Sequence, residues 1–191
     1  MNRQRGPRAQ VFSVAAIALF SLAACDNAGP SPQLLSRDTV VHMAAVAKYF
    51  PDITGEASTG LNETRIGKPI ASRSVVFTST DGKKKVTLSV DQYASAGDAA
   101  AAYQTAVEGS KAAPGFKPAA KPDLGEEAFA GTSQVGAEMH FGLGARDGRL
   151  IMSATHAGDI PVTPGNSNNL ISLGGVELTT AKQVVGPAGS H

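Results

Sequence analysis

Residues 74–91 constrain the fold of this chain more than any other stretch. Polar and apolar residues alternate on either side of Asp81-Gly82, a dipeptide favoured at two-residue hairpin turns because both positions tolerate positive φ. That turn sets Phe77 opposite Val86 and Val75 opposite Leu88, with Val90 alongside. The other face collects Ser74, Thr78, Thr80, Lys83, Lys85, Thr87 and Ser89, broken only by Val76. Turn chemistry and hydrophobic pattern agree on one register, and a slip of one residue would turn every apolar side chain outward.

A second hairpin is predicted over residues 137–156, turning at Asp147-Gly148, with Met139 opposite His156 and His140 opposite Thr155. Met139, Phe141, Leu143, Ala145, Leu150, Met152 and Ala154 share one face. The wet face carries His140, Gly142, Gly144, Arg146, Arg149, Ser153 and Thr155, with Ile151 as the exception. One apolar and one solvated face is the pattern of an antiparallel sheet packed on a core. A further strand is expected over residues 128–134.

Three helices complete the reading. Residues 36–50 place Val40, Met43, Ala44 and Ala47 on one face. Ser36 or Asp38 can cap this helix, and Pro51 stops it. Residues 95–110 open on Ser95 with Asp98 three positions on, a capping-box variant, and carry an apolar stripe of Ala96, Ala99, Ala100, Tyr103, Ala106 and Val107. Residues 168–185 align Ile171, Leu178, Ala181 and Val185, although Gly174-Gly175 weakens the helix. Residues 52–73, 111–125 and 158–169 read as connections. The expected class is therefore α+β: an antiparallel sheet of about five strands, from two hairpins and one further strand, with two to three helices on one face. This order of elements is similar to that of small exported modules of the PsbP-like type, a resemblance that carries no function by itself.

Ahead of this domain lies an export leader. Arg3, Arg5 and Arg8 precede a fourteen-residue apolar run, Val11 to Ala24. That run is shorter than the ~20 residues a spanning helix needs, and the layout is that of a secretory signal peptide. Its end, Leu22-Ala23-Ala24-Cys25, resembles the bacterial lipobox. The resemblance implies cleavage before Cys25, with diacylglyceryl on its sulfur and acylation of the new amino terminus. Several acyl chains hold a protein to a bilayer where one gives only marginal binding. Asp26 resembles the inner-membrane retention signal of enteric bacteria. The alternative is an ordinary signal peptide cut near Ala24, leaving a free thiol. The expected organisation is a leader over 1–24, a lipidated N-terminus and flexible tether over 25–35, one domain over 36–185, and a frayed tail over 186–191.

Composition then excludes several functions. Cys25 is the only cysteine and tryptophan is absent. Once Cys25 carries lipid, disulfides, thiolate metal sites and cysteine catalysis are excluded together. Loss of the three leader arginines leaves 14 basic against 16 acidic residues, which gives no basic excess for nucleic acid. The histidines do not gather: His140 and His156 point to opposite faces of their hairpin, so they cannot share a metal ion. No nucleophile elbow or zincin spacing is present. Glu126-Glu127 is an adjacent carboxylate pair, of the kind that opens a strand or helix far more often than it performs acid–base work.

One surface is suggestive. On the wet face of the second hairpin, Gly142 and Gly144 leave a strip without side chains beside His140, Arg146 and Arg149. Strand glycines mark close approach of a backbone or ligand, and arginines beside them can hold a carboxylate or phosphate. Equally, the glycines can serve sheet twist or face a helix. These features lead to the expectation of a non-enzymatic, cofactor-free, lipid-anchored envelope protein facing the periplasm. It would bind a protein partner or assemble a complex. Alternatively, it would carry a small or lipidic ligand between the sheet's apolar face and its helices.

Overall fold

A computed structural model describes residues 33–35, 43–58 and 66–186, with backbone alone at 57–58. The leader, Cys25, most of the tether, the caps Ser36 and Asp38, residues 59–65 and the tail beyond Gly186 lie outside them. The described chain runs α1 Met43–Tyr49, β1 Ile53–Ser58, β2 Ala71–Ser79, β3 Lys84–Gln92, α2 Ala96–Lys111, β4 Lys117–Pro118, β5 Glu127–Val135, β6 Glu138–Asp147, β7 Leu150–Gly158 and α3 Pro164–Val185. The strands form one antiparallel sheet in the order β1-β2-β3-β7-β6-β5-β4. The α+β class is as expected, with seven strands where about five were predicted. The extra strands are β1 and the two-residue β4, both from stretches read as loops.

The first hairpin keeps its expected register, Phe77 on Val86 and Val75 on Leu88. Its turn is built differently. Only Gly82 has positive φ (69°), and its N–H donates to Ser79 O at 2.9 Å. The Asp81 carboxylate accepts from the Ser79 hydroxyl and from Lys83 N, a local capping that holds Asp81 out of the left-handed region. In the second hairpin the register moves by two residues. Asp147 pairs with Leu150 and Phe141 with His156, so the central turn residues are Gly148 and Arg149. Gly148 (φ 54°) occupies the first of them, the position where a type II′ turn wants glycine. A shift of two preserves side-chain parity, so the predicted faces survive.

Those faces receive helices on both sides, not on one. On the apolar face, Phe77, Leu88, Phe141, Leu143 and Met152 pack with α1 and α3 in the main core. α3 is continuous through Gly174-Gly175 and starts earlier than predicted, at Pro164, with Thr163 as its cap. A Cβ at Gly174 would stand 2.8 Å from Met152 Cε, so the glycine that weakens the helix in isolation allows it close to the sheet. α1 buries Val46, and Phe50 just after it is buried too, while Ala44 is exposed, a shift from the predicted stripe. α2 lies on the opposite face. Its cap is as read, with Ser95 Oγ accepting from Asp98 N at 3.0 Å. It buries Ala99, Ala102, Tyr103 and Val107 against Ile151 and Phe129, with exposed Ala96 outside the buried set.

The chain is fixed before residue 36. Gln92, fully buried on β3, accepts from Leu35 N at 3.0 Å and donates to Gln33 O at 2.9 Å. Arg73 donates to Leu35 O at 2.6 Å, and the Leu35 side chain enters the main core. Residues 33–35, at the end of the stretch expected as a tether over 25–35, are held to the domain, because a buried side-chain amide binds their backbone as a neighbouring strand would.

His156 lies in that core between Phe50 and Phe141, with ring centroids 6.2 and 5.7 Å away. Among the described residues neither of its ring nitrogens finds a hydrogen-bond partner. Burial, and then nearby His140, push its pKa down to about 4 from 6.5. An unfolded chain takes this proton below about pH 6.5, whereas the folded chain resists until about pH 4. Stability from this group is thus complete above pH 6.5 and falls as pH drops through that window, by at most about 3 kcal/mol. His156→Phe is expected to flatten the decline between pH 6.5 and 5 in urea unfolding. An unchanged slope would contradict the buried neutral imidazole.

Candidate functional site

A groove of about 250 Å³ runs between α2 and the sheet face beneath it. Its position follows from two sequence details. Ile151, the one apolar break in the wet face of the second hairpin, is where the first half of α2 lands. Beside Val107 and past the helix end, Ala106, Ser110 and Ala113 line the space with short side chains, and it stays open. Phe116 and Phe129 wall it, and Ser133, Ser153 and Thr155 place hydroxyls along the sheet side.

The floor is a patch of three glycines, Gly131, Gly142 and Gly144. Gly131 and Gly142 are direct cross-strand partners, and Gly144 is next on the same face. They do different work. A Cβ at Gly144 would stand 2.6 Å from Phe129 Cε1, and one at Gly131 2.5 Å from Phe116 Cε2. Each is therefore covered by an aromatic ring. A Cβ at Gly142 would meet Thr155 Cγ2 at 3.3 Å. Gly142 is the part of the floor that no aromatic ring covers. Of the two readings of the glycine strip, helix and side-chain packing accounts for Gly144, and close approach of another molecule remains open to Gly142.

The charged candidates disperse. Arg146 is bound to Glu126 at 2.7 Å and to Glu127 at 3.3 Å, and also donates to Gly148 O at 3.2 Å. The adjacent carboxylates thus serve one guanidinium. Tyr103 stands by this cluster. Burial, then the Glu127 charge, push its hydroxyl up to about 12 with Arg146 opposing, so it stays a neutral donor at any ordinary pH. Arg149 lies in the β6–β7 turn and donates to Val185 O at 3.4 Å. His140 stands 3.5 Å from Glu138 at the other end of the sheet. The structure brings Gly142 and Gly144 to one site and keeps His140, Arg146 and Arg149 apart from it. Tyr103, Phe116, Phe129 and Gly131 were missed as site residues. The available signal was Gly131 at alternate spacing to Phe129 on one strand, matching the glycines of its neighbour.

Larger and more open hollows flank the C-terminal half of α3, about 370 Å³ beside Arg149 and about 540 Å³ beside Leu124. The Lys182–Asp147 ion pair at 2.7 Å borders both. Among the described residues no three His, Cys, Asp or Glu side chains gather to hold a metal ion, and no helix is long and apolar enough to cross a membrane.

The fold has structural relatives. The extracellular domain of PknH from Mycobacterium tuberculosis superposes with a TM-score of 0.53 at 9% identity, over 81% of this chain and all of that one. LpqN from the same organism, described as involved in cell envelope biogenesis, gives 0.31 at 12% identity over 76% and 94% of the two chains. No family model and no curated protein matches the sequence. At this identity the PknH likeness shows a shared fold.

Gly144→Ala is expected to destabilise the chain by about 1–3 kcal/mol through overpacking against Phe129. Phe129→Leu should recover part of that loss in the double variant. Additive losses in denaturant unfolding would contradict the ring-over-glycine contact.

Proposed function

We propose that this chain is a lipid-anchored bacterial envelope protein whose domain binds and does not catalyse. It takes a small apolar ligand, or one arm of an amphiphile, in the groove beneath α2. The lipobox resemblance at Leu22–Cys25 supports the anchor and a domain facing the periplasm, and Asp26 under the enteric rule favours the inner membrane. The observation that carries the binding reading is the groove itself. Its walls are aromatic and alanine surface, its polar groups are hydroxyls, and Gly142 exposes bare backbone in its floor. Apolar surface with a few orienting polar groups is the composition of small-ligand sites. Drug-sized ligands occupy roughly 300–1,000 Å³, so about 250 Å³ suits a smaller molecule or the end of a longer one. The site expected from sequence was the apolar face, and there α1 and α3 fill the space with core side chains.

A protein partner is the second reading. Val135 and Met139 at the β5–β6 hairpin tip are 58% and 42% exposed, and such side chains at a protruding tip suit docking.

Cys25→Ser is expected to move the chain from the membrane to the soluble fraction. In that released full-length chain, 1-anilinonaphthalene-8-sulfonate should gain fluorescence on binding. Gly142→Val should weaken its binding about tenfold or more by filling the floor, a change that needs only about 1.4 kcal/mol, with binding read below the variant's own melting temperature because its Cβ crowds Thr155 Cγ2 at 3.3 Å. Membrane retention of Cys25→Ser would contradict the anchor, and equal dye binding by Gly142→Val would contradict the groove.

A further inference from the structure

In the groove beneath α2, two of the three floor glycines carry an aromatic ring where a side chain would stand. Phe129 is the direct cross-strand partner of Gly144, and its Cε1 lies 2.6 Å from the Cβ position there. Cover of a strand glycine by a neighbouring aromatic is a recurring device in sheets. Phe116 does the same for Gly131 from the loop after α2, with Cε2 at 2.5 Å. Gly142 adjoins both seats. It pairs with Gly131 and shares a face with Gly144, two residues on. Apart from its own chain neighbours, the described atoms within 4 Å of its Cβ position are the methyl of Thr155, its partner on β7, at 3.3 Å and Ala154 O at 3.8 Å. No ring lies on it, and the groove reaches it.

Charge and size narrow what belongs there. None of the residues lining the groove is charged at neutral pH. The one titratable group among them, Tyr103, keeps its proton, and nearby Arg146 is already held by Glu126 and Glu127. A charged ligand would lose its hydration in this groove without gaining a counter-ion, so a neutral one is the complement. Tyr103 stands edge-on to Phe129 at 5.9 Å, so one wall is already an aromatic pair. A further ring extends that cluster, and aromatic pairs gain more than the area they bury. An apolar cavity of about 150 Å³ holds one benzene, and about 250 Å³ suits one or two fused rings. We propose that the groove seats a neutral planar ring system on Gly142, beside Phe116 and Phe129, with Ser133, Ser153 and Thr155 meeting a hydroxyl or carbonyl on its edge. The ligand supplies the ring that the third glycine lacks. This rests on the groove reading above and names its ligand class, aromatic and not alkyl.

The test compares two alcohols with the same ten-carbon skeleton. The full-length Cys25→Ser chain, labelled with nitrogen-15, is titrated with 2-naphthol, which is planar and uncharged at neutral pH, and separately with its saturated counterpart decahydro-2-naphthol. The saturated alcohol is the more apolar, so a groove selecting only for apolar surface would prefer it. 2-Naphthol should bind about tenfold tighter, and its ring current should shift the amides of Gly131, Gly142 and Gly144 most. Phe116→Leu should weaken 2-naphthol about fivefold and leave the saturated alcohol nearly unchanged. Phe116 is half-buried in a loop, and unshifted amides in β3 and α3 show that this variant stays folded. Equal or tighter binding of the saturated alcohol overturns the ring seat and leaves the groove as a binding site. Shifts confined to the hollows beside α3 overturn it as well. Anilinonaphthalene sulfonate bound with neither alcohol bound also refutes the ring seat alone. No binding of the dye or of either alcohol refutes the groove reading and the ring seat with it.

Discussion

The pairing of β3 with β7 is the interaction on which the rest of this structure depends. It joins two antiparallel meanders, β1-β2-β3 and β4-β5-β6-β7, through the register from Lys84↔Gly158 to Gln92↔Leu150. Val86, Leu88 and Val90 thereby align with His156, Ala154 and Met152 on one face, while Thr87, Ser89 and Asp91 align with Thr155, Ser153 and Ile151 on the other. The two apolar half-faces become one surface large enough to bury a core. No hairpin alone would be stable in water. The same register brings Ser89 and Ser153 together, 3.3 Å apart between hydroxyls, and makes the second face a shallow polar floor.

The two faces are then closed to different degrees. α3 meets the apolar face along its length, and its glycine lets the backbone approach Met152. α2 has fewer anchors: Tyr103 edge-on to Phe129 at 5.9 Å, Ile151, and a small alanine-rich stripe. Buried apolar area carries most of the stability of a packed helix, so α2 is the less firmly held of the two. A firmly sealed face and a lightly covered one give a scaffold with a built-in recess. The Gln92 latch on residues 33–35 fixes that stretch of chain at one end of the sheet.

Much of this was legible in the sequence, for physical reasons. Alternation in 74–91 and 137–156 reports side-chain parity, and parity survives an error of two residues in register. That is why the faces were right while the second turn was misplaced by one position. What escaped was set by tertiary context. Ile53–Ser58 is polar and glycine-bearing, and becomes a strand because β2 offers it an edge. Gly174-Gly175 argues against a helix in isolation and is explained only by the side chain opposite. The side of the sheet on which α2 packs was marked by few residues, chiefly Ile151, one apolar residue on a wet face, with Phe129 and Tyr93 beside it. At the candidate site the glycines were visible in sequence, but the rings covering two of them were not. Arg146 looked available because nothing in the sequence pairs it with Glu126 and Glu127 across a strand.

Native-state hydrogen exchange on the full-length chain tests the central claim, that a sealed core face and a lightly covered second face share one sheet. Amides of β3, β7 and α3 should exchange only through global unfolding, with a single shared free energy and a full denaturant dependence. Amides of α2 should exchange sooner, through a local opening with little denaturant dependence. If α2 exchanged as slowly as β3 and β7, with the same denaturant dependence, the second face would be sealed like the first and the account would be contradicted.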